Sequence, residues 1–254
     1  MRGAAAAEAT PARSGGGATT ATFKAPLLAR ILEGPESEQR LVALDLGTPC
    51  QPLIDRIAAR QPCRIEIADF VGFNAIASLS QAEPEALIST LQGLLPPPNQ
   101  EQLNLIFCWD LPNYLPLPAI GRLVALLGAR AAPGCRLHML ISYSRRDMPL
   151  APSRYVPVDE GQLEQRSATA DRVAAPRYSP EDLGKALNGF RYERGVLLAN
   201  GMQEFVYAWP GTQPGADVDR STAARPAAAR RDSRRAPASA PAKASTRTQD
   251  PSRG

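Results

Sequence analysis

Four apolar runs, residues 41–46, 63–68, 103–108 and 135–142, alternate with helix-patterned segments, and this alternation constrains the fold more than any other feature of the chain. A strand followed by a helix and another strand joins parallel neighbours, because a parallel pair needs a crossover. Repeating the unit gives an α/β fold: a Rossmann-like, mainly parallel sheet with helices on both faces. Residues 191–199 and 202–209 then read as two strands joined by Asn200-Gly201, a dipeptide suited to the two positive φ angles of a type I′ hairpin. The sheet should therefore end in a C-terminal antiparallel hairpin, with Phe205, Tyr207 and Trp209 on one face and Val206 and Ala208 on the other.

The helices between the runs follow a 3.6-residue period. Residues 23–33 carry Leu27, Leu28, Ile31 and Leu32 on one side and stop at Gly34-Pro35. Residues 53–59 do the same with Leu53, Ile54 and Ile57. Two starts are open for this helix: Thr48 as N-cap with Pro49 first, or Gln51 as N-cap with Pro52 first. The second is preferred, since it loses no backbone donor at Pro52. Residues 83–95 are helical up to Pro96-Pro97-Pro98, and residues 118–131 up to Pro133-Gly134. Residues 73–79 fit either a short strand or part of a helix. Residues 144–177 are polar, hold several prolines and have little period, and they are too long for a plain connection, so they are expected to make an excursion over the end of the sheet. Ser179 then reads as the N-cap of a short helix.

The ends of the chain have a different composition. Residues 1–22 are rich in Ala, Gly, Ser and Thr, and after Val218 there is no Ile, Leu, Val or aromatic residue. Such segments bury too little apolar surface to offset the entropy of ordering. The expected organisation is a disordered segment 1–22, an α/β domain 23–210 and a disordered basic tail 211–254. From Gly211 onward lie nine of the 29 lysines and arginines and four of the 25 acids, so the basic balance belongs to the tail. Arg230-Arg231 and Arg234-Arg235 could touch nucleic acid or anionic lipid. With no aromatic residue between them to stack on bases, a solvated tail is the preferred reading.

Cys50, Cys63, Cys108 and Cys135 are scattered, and His138 is the only histidine, so no metal site is expected. Four reduced thiols, no secretory h-region and no membrane-spanning run point to a cytoplasmic protein.

Ligands of such sheets bind beyond the C-terminal strand ends. Those ends hold Asp45, Gly47, Asp69, Trp109, Asp110 and the stretch from Ser142 to Ser144. Asp45 reads as a cofactor ligand or as a partner to the dipole of the next helix. Asp69 reads as a ribose ligand or a solvated carboxylate, and Asp110 as a substrate-orienting group or a turn former. Trp109 reads as rim packing before a substrate platform, and His138 as a hydrogen-bonded structural residue before a general base. Tyr143 and Arg145-Arg146 could meet an anionic substrate, with solvated charge the default. One histidine at these spacings makes no nucleophile–base–acid set, which counts against a hydrolase.

The Leu-Asp-Leu-Gly at residues 44–47, in a sheet of this order, resembles class I S-adenosylmethionine-dependent methyltransferases over residues 41–209. The segments 107–115 and 200–204 are similar to a little-characterised bacterial branch of methyltransferase-like proteins. The resemblance implies S-adenosylmethionine as cofactor. It puts Asp45, Gly47 and Thr48 beside the methionine part, Asp69 at the ribose, and Trp109 and Asp110 where the methyl group meets an unidentified small-molecule or protein acceptor. Leu111-Pro112-Asn113-Tyr114 is superficially similar to the Asn-Pro-Pro-Tyr of amino-group methyltransferases. The chain departs from the family after Gly47, where Thr48, Pro49 and Gln51 replace glycines. Proline there removes an N–H and fixes φ. Two functions follow: a methyltransferase with an altered cofactor loop, or a non-catalytic module built on the same fold.

Overall fold

A computed structural model describes residues 18–33, 37–71, 75–144, 146–159 and 161–211. In chain order the elements are β1 (Thr19–Lys24), α1 (Pro26–Leu32), β2 (Leu41–Asp45), α2 (Gln51–Ala58), β3 (Cys63–Ile67), α3 (Ala75–Gln81), α4 (Pro84–Leu94) and β4 (Leu103–Trp109). There follow α5 (Leu117–Gly128), β5 (Ala131–Ser142), β6 (Asp147–Pro149), β7 (Arg154–Pro157), β8 (Gln162–Ser167), β9 (Arg172–Ala174), α6 (Pro180–Ala186), β10 (Arg191–Leu197) and β11 (Met202–Ala208).

The main sheet has six strands in the order β10-β11-β5-β4-β2-β3. Strands β3, β2, β4 and β5 are parallel, and β11 runs antiparallel between β5 and β10. Alternation along the strands makes two cores. One packs Leu44, Ile106, Leu137 and Met139 under α3, α4, α5 and α6. The other packs Ala43, Phe107 and Leu140 under α1 and α2. This is the α/β architecture with a closing hairpin that the alternation of patterns predicts.

Several local expectations are corrected. Residues 19–22, predicted as part of an unstructured end, lie in β1, which pairs antiparallel with β8. α1 accordingly begins at Pro26, after Phe23 has turned inward edge-on to Tyr155. A threonine-rich edge strand has no apolar signal of its own, and its partner is supplied by a distant segment. Residues 1–17 and 212–254, the bulk of the predicted ends, lie outside the described residues.

The excursion after β5 is built of strands. It forms β7 and β8, which with β1 make a three-stranded sheet, and the small β6–β9 pair. α2 starts at Gln51 with Cys50 as an N-cap that makes no side-chain bond, so neither proposed cap is used. α5 ends at Gly128, and Pro133-Gly134 falls within β5, where Gly134 has φ +82° and its N–H donates to the Trp209 carbonyl. Residues 75–81 are helical; the rest of the ambiguous segment, residues 73 and 74, lies outside the described residues.

The hairpin turn also differs. Gly201 has φ +81° while Asn200 does not have a positive φ. The Gly201 N–H donates to the Leu198 carbonyl, and the Leu198 N–H donates to the Met202 carbonyl. This is a three-residue loop with a left-handed glycine rather than a two-residue type I′ turn. Among the described residues no helix is long and apolar enough to cross a membrane.

Candidate functional site

From β2 the chain turns to β3 on one side of the sheet, while β4 lies on the other. The ends of β2 and β4 therefore flank a switch point, the place where open α/β sheets bind ligands. Asp45 closes β2 and Trp109 closes β4, and they meet. The Trp109 Nε1–H donates to Asp45 Oδ1 at 2.6 Å, and the Gly47 N–H donates to the same oxygen at 2.8 Å. Both residues are buried.

The indole lies directly over Gly47. A Cβ there would come within 2.6 Å of Trp109 Cδ1 and 2.8 Å of Nε1. The ring is held by stacking, 5.3 Å from Phe107 and 5.5 Å from Tyr155 between centroids, with interplanar angles of 14° and 12°. Tyr155 comes from β7, so the excursion caps the crevice. Arg154 fastens the same strand to the loop after Gly47 by donating to the Pro49 carbonyl at 3.0 Å. Trp109 has φ +50°, the only positive φ outside glycine among the described residues. A bulky side chain there costs on the order of 1–3 kcal/mol.

The neighbouring acids are also engaged. Thr48 Oγ1 donates to Asp69 Oδ1 at 3.3 Å. Asp110 turns inward, where Oδ2 accepts from the Tyr155 hydroxyl at 3.0 Å and the Ser153 N–H at 3.2 Å. Ser153, Gln165 and Ser167 extend this buried polar network. Burial pushes the Asp45 carboxyl up to about 6, against the lowering effect of its bonds from Trp109 and Gly47, with the Asp69 charge adding to the rise. Burial likewise lifts Asp110 to about 7.

All six residues predicted at the site, Asp45, Gly47, Thr48, Asp69, Trp109 and Asp110, thus sit at the ends of β2, β3 and β4. The methionine part of S-adenosylmethionine would need the space over Gly47 and an oxygen of Asp45. The indole takes the space and one oxygen, so the closed crevice does not fit the cofactor unless Trp109 moves. Asn113 is buried and serves the backbone: its amide donates to the Asp110 and Leu140 carbonyls and accepts from the Ser142 N–H. Tyr143 and Arg146 lie at the surface, and Arg145 lies outside the described residues.

His138 has the structural role. Its Nε2 lies 3.0 Å from Glu204 Oε1, and both side chains are fully buried. The Glu204 carboxylate also accepts the Leu27 and Leu28 N–H groups at 2.9 and 2.7 Å. It thereby caps the first turn of α1, whose N-cap residue Ala25 has no side-chain acceptor. Sequence reasoning missed Glu204 and Tyr155. The available signal for Glu204 was a lone acid between Met202 and Val206, on the strand face that alternation makes buried. No sequence signal connects Tyr155 to Trp109. All four cysteines are free, and no cluster of metal-ligating groups occurs among the described residues.

No protein-family model matches the chain, and neither does any curated protein. Solved structures give distant likenesses. The pyocyanin biosynthetic protein PhzM is 17% identical over 72% of this chain and 53% of its own, with a TM-score of 0.39. The N-methyltransferase NodS from Bradyrhizobium japonicum, with S-adenosylhomocysteine, is 14% identical over 67% of this chain and 78% of its own, at 0.37. CalS10, an amino pentose methyltransferase from Micromonospora echinaspora bound to S-adenosylmethionine, is 15% identical over 72% and 87%, at 0.38. The matched region spans about half of PhzM. The fold assignment stands on strand order and direction rather than on these superpositions.

Proposed function

We propose that the chain is a methyltransferase-type domain that takes S-adenosylmethionine at the β2/β4 switch point after Trp109 has swung away. The acceptor is an unidentified small molecule or protein group. The observation that carries this reading is the position of the indole, whose N–H donor rests on Asp45 and whose edge covers Gly47. It holds the place that a cofactor with an amine and a ribose would need. In the open form Asp45 and Asp69 would be acceptors for the cofactor's donors, and Gly47 would leave room for its close approach.

A second reading has its own support. Trp109 is stacked with two rings, and the loop after Gly47 has lost an N–H group at Pro49. These features suit a permanently closed, non-catalytic module. Calorimetric titration of the whole chain with S-adenosylhomocysteine separates the two. Saturable binding by wild type, with a rise of about 2.7 kcal/mol in stability at a hundredfold excess over Kd, supports the first reading. Binding only by Trp109→Ala, or by neither protein, supports the second.

A further inference from the structure

We infer that a cavity between α6 and the β10–β11 hairpin is a binding site for a flat, uncharged aromatic small molecule. The cavity has a volume of about 550 Å³, within the range of roughly 300–1,000 Å³ usual for small-molecule sites. It lies on the sheet face that carries Phe205 and Tyr207, opposite the core that holds Trp109 and Tyr155. It therefore does not depend on the reading of the switch point.

The sequence makes this space in two ways. α6 is only seven residues long and covers part of the hairpin, and its Gly184 looks onto open space, with nothing within 4 Å of a Cβ there. Gly195 lets the Phe205 ring come against the strand; a Cβ would meet Phe205 Cδ1 at 2.9 Å. Three of the six exposed large apolar residues among those described line the cavity: Tyr143 at 54%, Tyr192 at 60% and Leu197 at 59% exposure. Apolar residues gathered around a concavity mark a ligand site more often than scattered ones do.

The lining selects the class of ligand. Among the described residues that line it none is charged; Gln203 and the tyrosine hydroxyls are its hydrogen-bonding side chains. Burial and the neighbouring Tyr192 push the Tyr207 phenol up to about 12, so it remains a neutral donor. The Tyr192 ring stands at 72° to Phe205 and 79° to Tyr207. This right-angled wall offers a flat guest one face and one edge, the two preferred aromatic arrangements. An added peptide strand is the poorer occupant. β10 is the outer strand, but it is bulged between Tyr192 and Arg194 and carries Arg191, Glu193 and Arg194. Bulges and charges are the devices that keep edge strands from pairing.

The test is fluorescence titration of the full chain with N-phenyl-1-naphthylamine, an uncharged aromatic probe, and with its charged relative 1-anilinonaphthalene-8-sulfonate. The neutral probe is expected to bind saturably, one per chain, and about tenfold more tightly than the sulfonate. Gly184→Phe, which fills the space, should weaken the neutral probe by about tenfold or more. Tyr192→Ser at the exposed rim provides the same reading if the first variant does not fold. No saturable binding, a sulfonate bound as tightly as the neutral probe, or unchanged affinity in the folded variants would overturn the assignment.

Discussion

The two faces of the sheet treat space in opposite ways. At the switch point, where a ligand is expected, each predicted side chain is used by another: Asp45 by Trp109, Thr48 by Asp69, Asp110 by Tyr155. On the hairpin face, aromatic side chains stand around a cavity that α6 leaves uncovered. A motif residue can keep its place in a fold while its bonding capacity is spent internally. Free bonding capacity and free volume, rather than residue identity, distinguish an open site from a closed one.

The largest expected effect breaks the polar interior of the closed face. Glu204→Ala leaves the Leu27 and Leu28 N–H groups and His138 without their buried acceptor. Removing one partner from a buried, hydrogen-bonded pair of this kind costs on the order of 3–5 kcal/mol. Chemical denaturation should show that loss, and Glu204→Gln should recover part of it, because its amide oxygen can still cap α1. An equally costly polar substitution at exposed Tyr192 would erase the contrast between the faces.

Next comes pH. Asp45 and Asp110 have folded pKa values raised above the unfolded value of about 3.9, so the folded chain binds more protons than the unfolded one. Their contribution is complete below about pH 4 and is lost as pH rises through about 6 for Asp45 and about 7 for Asp110. The shifts correspond to about 3 kcal/mol for Asp45 and about 4 kcal/mol for Asp110. Stability measured from pH 4.5 to 8 should therefore decline with pH through these two groups, and Asp45→Asn with Asp110→Asn should flatten the decline. A profile unchanged by both substitutions would mean that neither acid is buried as described.

The strands and their parallel direction were legible because parallel strands buried on both faces write themselves as apolar runs, as at residues 41–46 and 103–108. The position of Asp45 and Asp69 at strand ends followed from those runs. The plug did not. It depends on the left-handed backbone of Trp109 and on Tyr155, which arrives from a segment with no clear period. β1 was hidden for the same reason, since its threonines form a strand only because β8 supplies a partner. Local pattern reports which faces are buried; it does not report which distant residue fills a gap.

Glycine to alanine, made once on each face, isolates the contrast with the smallest chemical change. At Gly47 the new methyl meets the Trp109 ring at 2.6 Å, and in the closed form that ring is packed between two stacking partners. Overpacking of that kind costs about 1–3 kcal/mol. The cost should shrink in a Trp109→Ala background, a coupling that a double-mutant cycle measures directly. At Gly184 the methyl meets nothing within 4 Å and sits inside a helix, so Gly184→Ala should stabilise by about 0.5–1 kcal/mol. The same methyl group thus carries opposite signs on the two faces, and thermal melts of the two single variants read the difference. If both variants lose stability alike, the hairpin cavity is as tightly filled as the switch point, and the distinction between an occupied crevice and an open site fails.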